Sequence, residues 1–282
     1  MTEPSHSRRG FSRLFALLTV MAAVLIALLL YGSNVRRFVR ESLMQRVTSS
    51  HYEILCPPGA LSQAAMTQFA TQREPLFAAL DKKLSDAASN SEIRVIFDPK
   101  FPAPSDATGP QPYSVTGTTV RTKLSGEFPQ LPAAADAEAL LSVAWGKHGN
   151  AQIARWTAIW LVGDWRGAEI GMAAAQVEQR LGHKKVESLL TNPAGEISSA
   201  DDQTLLGAAW ISEIAEFGGP SAVRKVYAAK MARPNVAQVT QALGTTPLEL
   251  DRKWQMWMYS YLAGMPAMPQ GSGMQMDMPM GR

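Results

Sequence analysis

Cysteine is almost missing. Cys56 is the only one in 282 residues, so no internal disulfide can form. Histidine is scarce too, with His6, His51, His148 and His183 making four, and no two of them stand at a spacing that binds a metal from one helix. No Gly-x-Ser-x-Gly elbow occurs, which excludes that route to a serine nucleophile. Gly218-Gly219-Pro220 lacks both the spacing and the lysine of a phosphate-binding loop. No basic run carries interleaved aromatics, which argues against a nucleic-acid partner. No repeat of fixed period is present, which removes solenoids and propellers.

Charge is uneven. The net charge of +3 conceals seven Arg against two Glu in residues 1–50, while the remaining chain holds 20 basic and 22 acidic residues. One long apolar run exists. Leu14 to Tyr31 has no charge, and as a helix it would be about 27 Å long at about 1.5 Å per residue. Arg8, Arg9 and Arg13 precede it, and Arg36, Arg37 and Arg40 follow. This pattern predicts a membrane-crossing helix over residues 14–31, with the short basic end, residues 1–13, in the cytoplasm. Leu28-Leu29-Leu30 before Gly32 offers no small-x-small cleavage site, so the segment reads as a retained anchor. Ser7-Arg8-Arg9-Gly10-Phe11 resembles the twin-arginine export motif, but Ser12 and Arg13 depart from it, so general secretion and twin-arginine export both stay open. Either route predicts a single-pass protein of the bacterial inner membrane, with its C-terminal domain on the outer side.

Residues 32–50 read as a juxtamembrane linker. His51–Cys56 alternates weakly, as an edge strand does, and Pro57-Pro58-Gly59 stops it. Residues 60–84 carry a helical pattern with a kink expected at Pro75. Ile93 to Phe97 reads as a buried strand, and Tyr113 to Leu124 as a hairpin or a bulged strand around Gly117. From Ala133 onward nearly everything reads as helix. Phe217-Gly218-Gly219-Pro220 ends one helix and starts another, and Thr246-Pro247 with Glu249 fits a capping box. Leu250, Trp254, Trp257 and Tyr261 share one helix face. Glu213 and Glu216, three apart, read as a solvated helix face.

The tail is unusual. Met265, Met268, Met274, Met276, Met278 and Met280 are separated by Pro, Gly, Gln and Asp, a composition that cannot build a core, so residues 263–282 read as disordered. Thioethers are soft ligands that select Cu(I), which makes these methionines candidate soft-metal ligands. Plain disorder and docking on a partner are the alternatives.

The order of elements, with Phe217-Gly218-Gly219-Pro220 and then Ala242-Leu243-Gly244-Thr245-Thr246-Pro247-Leu248-Glu249 and Trp254, resembles the closing segment of the peptidase MA-like family. These are gluzincin metallopeptidases related to thermolysin. The resemblance covers residues 51–262. It implies an α+β fold: a small sheet with a helix in residues 51–132, packed on a mostly helical, zincin-like lobe in residues 133–262. The family's chemistry needs His-Glu-x-x-His on one helix and a Glu on a facing one. At the matching positions this chain has Ala144-Trp145-Gly146-Lys147-His148, and Ile159 stands where the third ligand would be. Alanine, tryptophan and isoleucine offer no donor to a cation, and one imidazole does not hold Zn²⁺. The resemblance therefore implies a degenerate, zinc-free site at Ala144, Trp145, His148 and Ile159, and a pseudo-peptidase rather than an enzyme. The function expected is that of a scaffold or accessory subunit, bound to the membrane through residues 14–31 and to a protein partner in an envelope complex, with no cofactor. Copper handling through the Met-rich tail, or hydrolysis at a rearranged site, are the other readings.

Overall fold

The computed structural model describes residues 19–21, 39–102, 113–124, 131–192, 195–229 and 233–263. Its fold is α+β. A five-stranded sheet has the order β1-β2-β3-β5-β4, with β1 Gln45–Thr48, β2 Tyr52–Cys56, β3 Ile93–Phe97, β4 Tyr113–Thr116 and β5 Thr119–Thr122. Helix α1 spans Gln63–Lys83. Then come α2 Ala133–Ala144, α3 Ala151–Val162, a small hairpin of β6 Asp164–Trp165 and β7 Ala168–Glu169, α4 Ile170–Leu181, α5 Val186–Thr191, α6 Ala200–Ala228, α7 Val236–Leu243 and α8 Pro247–Ala263.

The expected membrane-crossing helix is corrected. Among the described residues no helix is long and apolar enough to cross a membrane. Of residues 14–31 only Thr19–Met21 are described, as a piece of helix. The long helices fail on composition: α1 contains Arg73, Glu74, Asp81, Lys82 and Lys83, and α6 contains Asp201, Asp202, Glu213, Glu216, Arg224 and Lys225. Each such charge would be costly in a bilayer core. The membrane, transmembrane-helix and signal-anchor readings fall with it. Residues 1–13, the rest of 14–31 and the Met-rich tail beyond Ala263 lie outside the described residues.

The chain divides into two compact units. The first comprises the described residues of 1–74, 94–113 and 121–130, and the second those of 75–93, 114–120 and 131–282. In the first unit, β1 pairs antiparallel with β2, Gln45 opposite Cys56 and Thr48 opposite Glu53. β1 lies ahead of residue 51, where the domain was expected to begin, and it makes β2 an interior strand. That suits β2, whose Tyr52, Ile54, Leu55 and Cys56 are all fully buried. A line of alternating charge crosses the sheet. Arg46 pairs with Glu53 at 3.0 Å, and Glu53 with Arg94 at 2.6 Å. Arg94 reaches Glu41 at 3.6 Å, Glu41 also binds Arg121, and Asp98 lies 3.7 Å from Arg121 and 3.5 Å from Arg40. The three carboxylates are only 14–16% exposed, so this network is screened less than separate surface pairs would be. It fixes residues 40 and 41, expected to be linker, against the sheet. Elsewhere in this unit Glu74 accepts from Ser49 Oγ at 2.6 Å and lies 2.6 Å from His51 Nδ1, tying the β1–β2 turn to α1. These hydrogen bonds, with His51's charge, hold the Glu74 carboxyl below its ordinary range although burial alone would raise it.

The second unit is helical and holds the larger core. Trp156, Trp210 and Trp254 are fully buried in it, with Ile153, Ile159, Ile211 and Leu206 around them. Punctuation explains the helix ends. Asn150 Oδ1 accepts the Gln152 and Ile153 amides at 2.9 and 3.0 Å, and Gly163, at φ 95°, closes α3. Lys83 Nζ donates to the Leu161 and Val162 carbonyls at 2.7 and 3.1 Å, a cation on the negative end of the same helix. In α6 the expected break is present: Gly219 sits at φ 71°, ψ 175°, and Pro220 restarts the helix. Thr246 Oγ1 accepts the Glu249 amide at 3.2 Å, which starts α8.

Candidate functional site

Helix α2 ends where the zinc motif of the resembled family would be. Ala144 is its last residue. Trp145 caps it, with φ −116° and ψ −4°, and donates its amide to the Leu141 carbonyl at 2.8 Å. Gly146, at φ 85°, then turns the chain out of the helix. His148 therefore lies in the α2–α3 connection. It does not sit one helical turn above Ala144, as the spacing suggested, because Gly146 takes up a left-handed conformation that favours glycine and stops a helix.

His148 is nevertheless buried, at 7% exposure. Its ring packs on Tyr227 of α6, with centroids 4.9 Å apart, and Trp145 packs edge-on to the same phenol at 5.5 Å. His148 Nδ1 is 2.8 Å from the Asn150 amide nitrogen and 2.9 Å from the Asn150 carbonyl oxygen. An amide N–H can only donate, so Nδ1 accepts from it, and the proton falls to Nε2, which is buried and makes no hydrogen bond of good geometry. Burial pushes the imidazole's pKa down, and the Asn150 and Val226 backbone groups oppose that shift. The result is a neutral ring whose Nδ1 lone pair is already occupied. Tyr227 is pushed up to about 12 by burial, with the Glu138 charge acting in the same direction and the His148 backbone N–H against it. Glu138 in turn has Arg155 at 3.9 Å.

Ile159 lies on α3, 5% exposed, in the tryptophan core. Trp145 packs against that core from its edge. Trp145 and His148 thus meet through Tyr227, while Ile159 is a core residue beside Trp156. Among the described residues no group of three His, Cys, Asp or Glu could hold a metal ion. A shallow depression of about 410 Å³ is lined by Gly59, Leu61, Ser62, Gln68 and small neighbours, and none of the candidate residues borders it. Cys56 is fully buried, and burial pushes its thiol up to about 11, which leaves it protonated and unreactive at neutral pH. The six candidate methionines of the tail lie outside the described residues.

Three participants escaped the sequence. Asn150 had a legible signal, a capping residue directly before an apolar helix. Tyr227 had none, since its tie to His148 joins α6 to the distant α2–α3 connection. Glu213 was expected on a solvated face, but it is 1% exposed. Trp210, Ile211 and Ile214 on either side of it are all buried, so α6 is covered nearly all round at that level.

No family model, curated protein or solved structure matches this chain.

Proposed function

We propose that this chain is a non-catalytic pseudo-peptidase of the peptidase MA-like kind, working as a scaffold or accessory subunit that holds a protein partner. One observation carries the reading. At the place where the resembled family activates water, the single remaining histidine has its Nδ1 engaged by the Asn150 amide and its ring packed on Tyr227. A zinc ion would need at least two further protein donors beside one imidazole nitrogen. Ala144, Trp145 and Ile159 supply none. The interior so formed is a packed aromatic contact, suited to rigidity rather than turnover.

The test is metal content together with activity. Purified full-length protein is incubated with Zn²⁺, dialysed and measured by elemental analysis, and hydrolysis of an unstructured polypeptide is followed in parallel. Zinc well below one equivalent and no hydrolysis above buffer are expected, in both the parent and His148→Ala. Stoichiometric zinc, or hydrolysis, that His148→Ala abolishes overturns the proposal.

A further inference from the structure

Helix α8 is held along two seams, and a buried carboxylate stands in each. On the first seam, Glu178 of α4 is 4% exposed. Its Oε1 accepts the Lys184 amide at 3.2 Å, and its Oε2 is 3.4 Å from His183 Nδ1. The loop it steadies, entered through Gly182 at φ 73°, offers the Lys184 carbonyl to Trp254 Nε1 of α8 at 2.8 Å. Asp251 of α8 accepts the Val186 amide beside it at 2.9 Å. On the second seam, Glu213 of α6 is 1% exposed, and its Oε2 has no hydrogen-bond partner. One turn on, Glu216 accepts from Trp257 Nε1 of α8 at 2.5 Å.

The charges facing these groups are few. Glu178 faces Lys184 and His183, and burial outweighs the Lys184 contributions to push it up to about 7. His183 is itself pushed down, first by burial and then by Lys184 and Lys185, against the pull of Asp251. Glu213 faces Lys253 of α8, which lowers it, and Glu216, which raises it; burial dominates and takes it to about 8. Lys253 is shared with Glu249 at 2.9 Å.

We propose that α8 is a pH-governed clasp: it docks while Glu178 and Glu213 are protonated and loosens as they ionise, uncovering its Leu250, Trp254, Trp257 and Met258 face. An ionised Glu213 must find water. Opening one helix hydrates it at far lower cost than unfolding the unit, because sub-global openings lie below the global stability. The sign follows from linkage. A carboxyl whose folded pKa is raised stabilises the docked state fully below its ordinary range, and that stability is lost as pH rises toward about 7 for Glu178 and about 8 for Glu213. The inference does not depend on the pseudo-peptidase reading, since neither carboxylate touches His148's surroundings.

Hydrogen exchange of the full chain tests it, read by mass spectrometry between about pH 5.5 and about pH 9 and corrected for intrinsic rates. Protection of residues 247–263 should fall by about tenfold per pH unit for each carboxyl that ionises, while α3 keeps its protection. Glu178→Gln with Glu213→Gln, which imitates the protonated pair, should flatten the profile, and Glu216→Gln should not. The proposal is overturned if α8 protection in the parent does not vary with pH, if it falls only in step with α3, or if the double variant keeps the parent's slope. Should that variant fail to fold, the comparison of α8 with α3 in the parent decides alone.

Discussion

Gly207→Ala is a severe test of how the tryptophan core is packed. Gly207 faces Trp156 across the α3–α6 contact, and a Cβ built there would lie nearer than 3.0 Å to Cε2, Cδ2 and Nε1 of the indole. Trp156 is fully buried and edge-on to Trp210, with centroids 6.3 Å apart at 89°. A rigid ring wedged in this way has no empty rotamer to take, so the helices themselves must separate. Overpacking of this kind costs about 1–3 kcal/mol. Replacing a mid-helix glycine by alanine returns about 1 kcal/mol of helix propensity. Because the added atom strikes ring atoms and not a flexible chain end, the upper half of the cost range applies, and the net loss should be about 1–2 kcal/mol. Gly171→Ala supplies the contrast. Its Cβ would also come nearer than 3.0 Å to the Tyr261 ring, but Tyr261 is partly exposed near the end of α8 and can swing aside. That variant should be near neutral or slightly stabilised. Urea unfolding followed by tryptophan fluorescence reads both, as a shift of midpoint at constant slope. A Gly207→Ala protein as stable as the parent, or equal effects at the two positions, would refute the reasoning.

Two further outcomes are expected. Asn150→Ala removes the acceptor of two α3 amides and should cost about 1 kcal/mol in thermal or urea unfolding, with Asn150→Asp recovering most of it; no loss would mean the cap is not needed. Deleting residues 265–282 should leave the unfolding midpoint unchanged, and Cu(I) should raise the midpoint of the full chain alone if the tail methionines bind it; a shift in neither protein retires copper as a ligand.

Much of the fold was legible because its signals are local. Pro247 after Thr246, glycine at residues 219 and 244, and the mostly apolar stretch Ile93–Phe97 all act within one or two turns of chain, where a sequence pattern can carry them. The elements that escaped are those defined by a partner. Gln45-Arg46-Val47-Thr48 has no pattern of its own and is a strand because Glu53–Cys56 lies beside it and Arg46 pairs across to Glu53. The β6–β7 turn hides for a similar reason. Arg166 holds a left-handed φ of 55°, which usually calls for Asn or Gly, and its guanidinium lies over Trp165 at 5.0 Å while also pairing with Asp201 of α6.

The site divides along the same line. That Ala144, Trp145 and Ile159 offer no donor to a cation is a matter of residue identity and could be read directly, whereas the geometry around them could not. Spacing alone put Ala144 and His148 on one helix, yet Gly146 between them carried the opposite signal, since a glycine after a helix commonly marks its end. Glu213 is the sharper case. Its three-residue spacing to Glu216 is that of a wet helix face, but Trp257 and Lys253, about forty residues further on, bring α8 against that level of α6. The two glutamates then part ways: Glu216 stays exposed and receives an indole N–H, while Glu213 is sealed in. Sequence spacing fixes which way a side chain points along its own helix, and only the packing partner decides whether water is there to meet it.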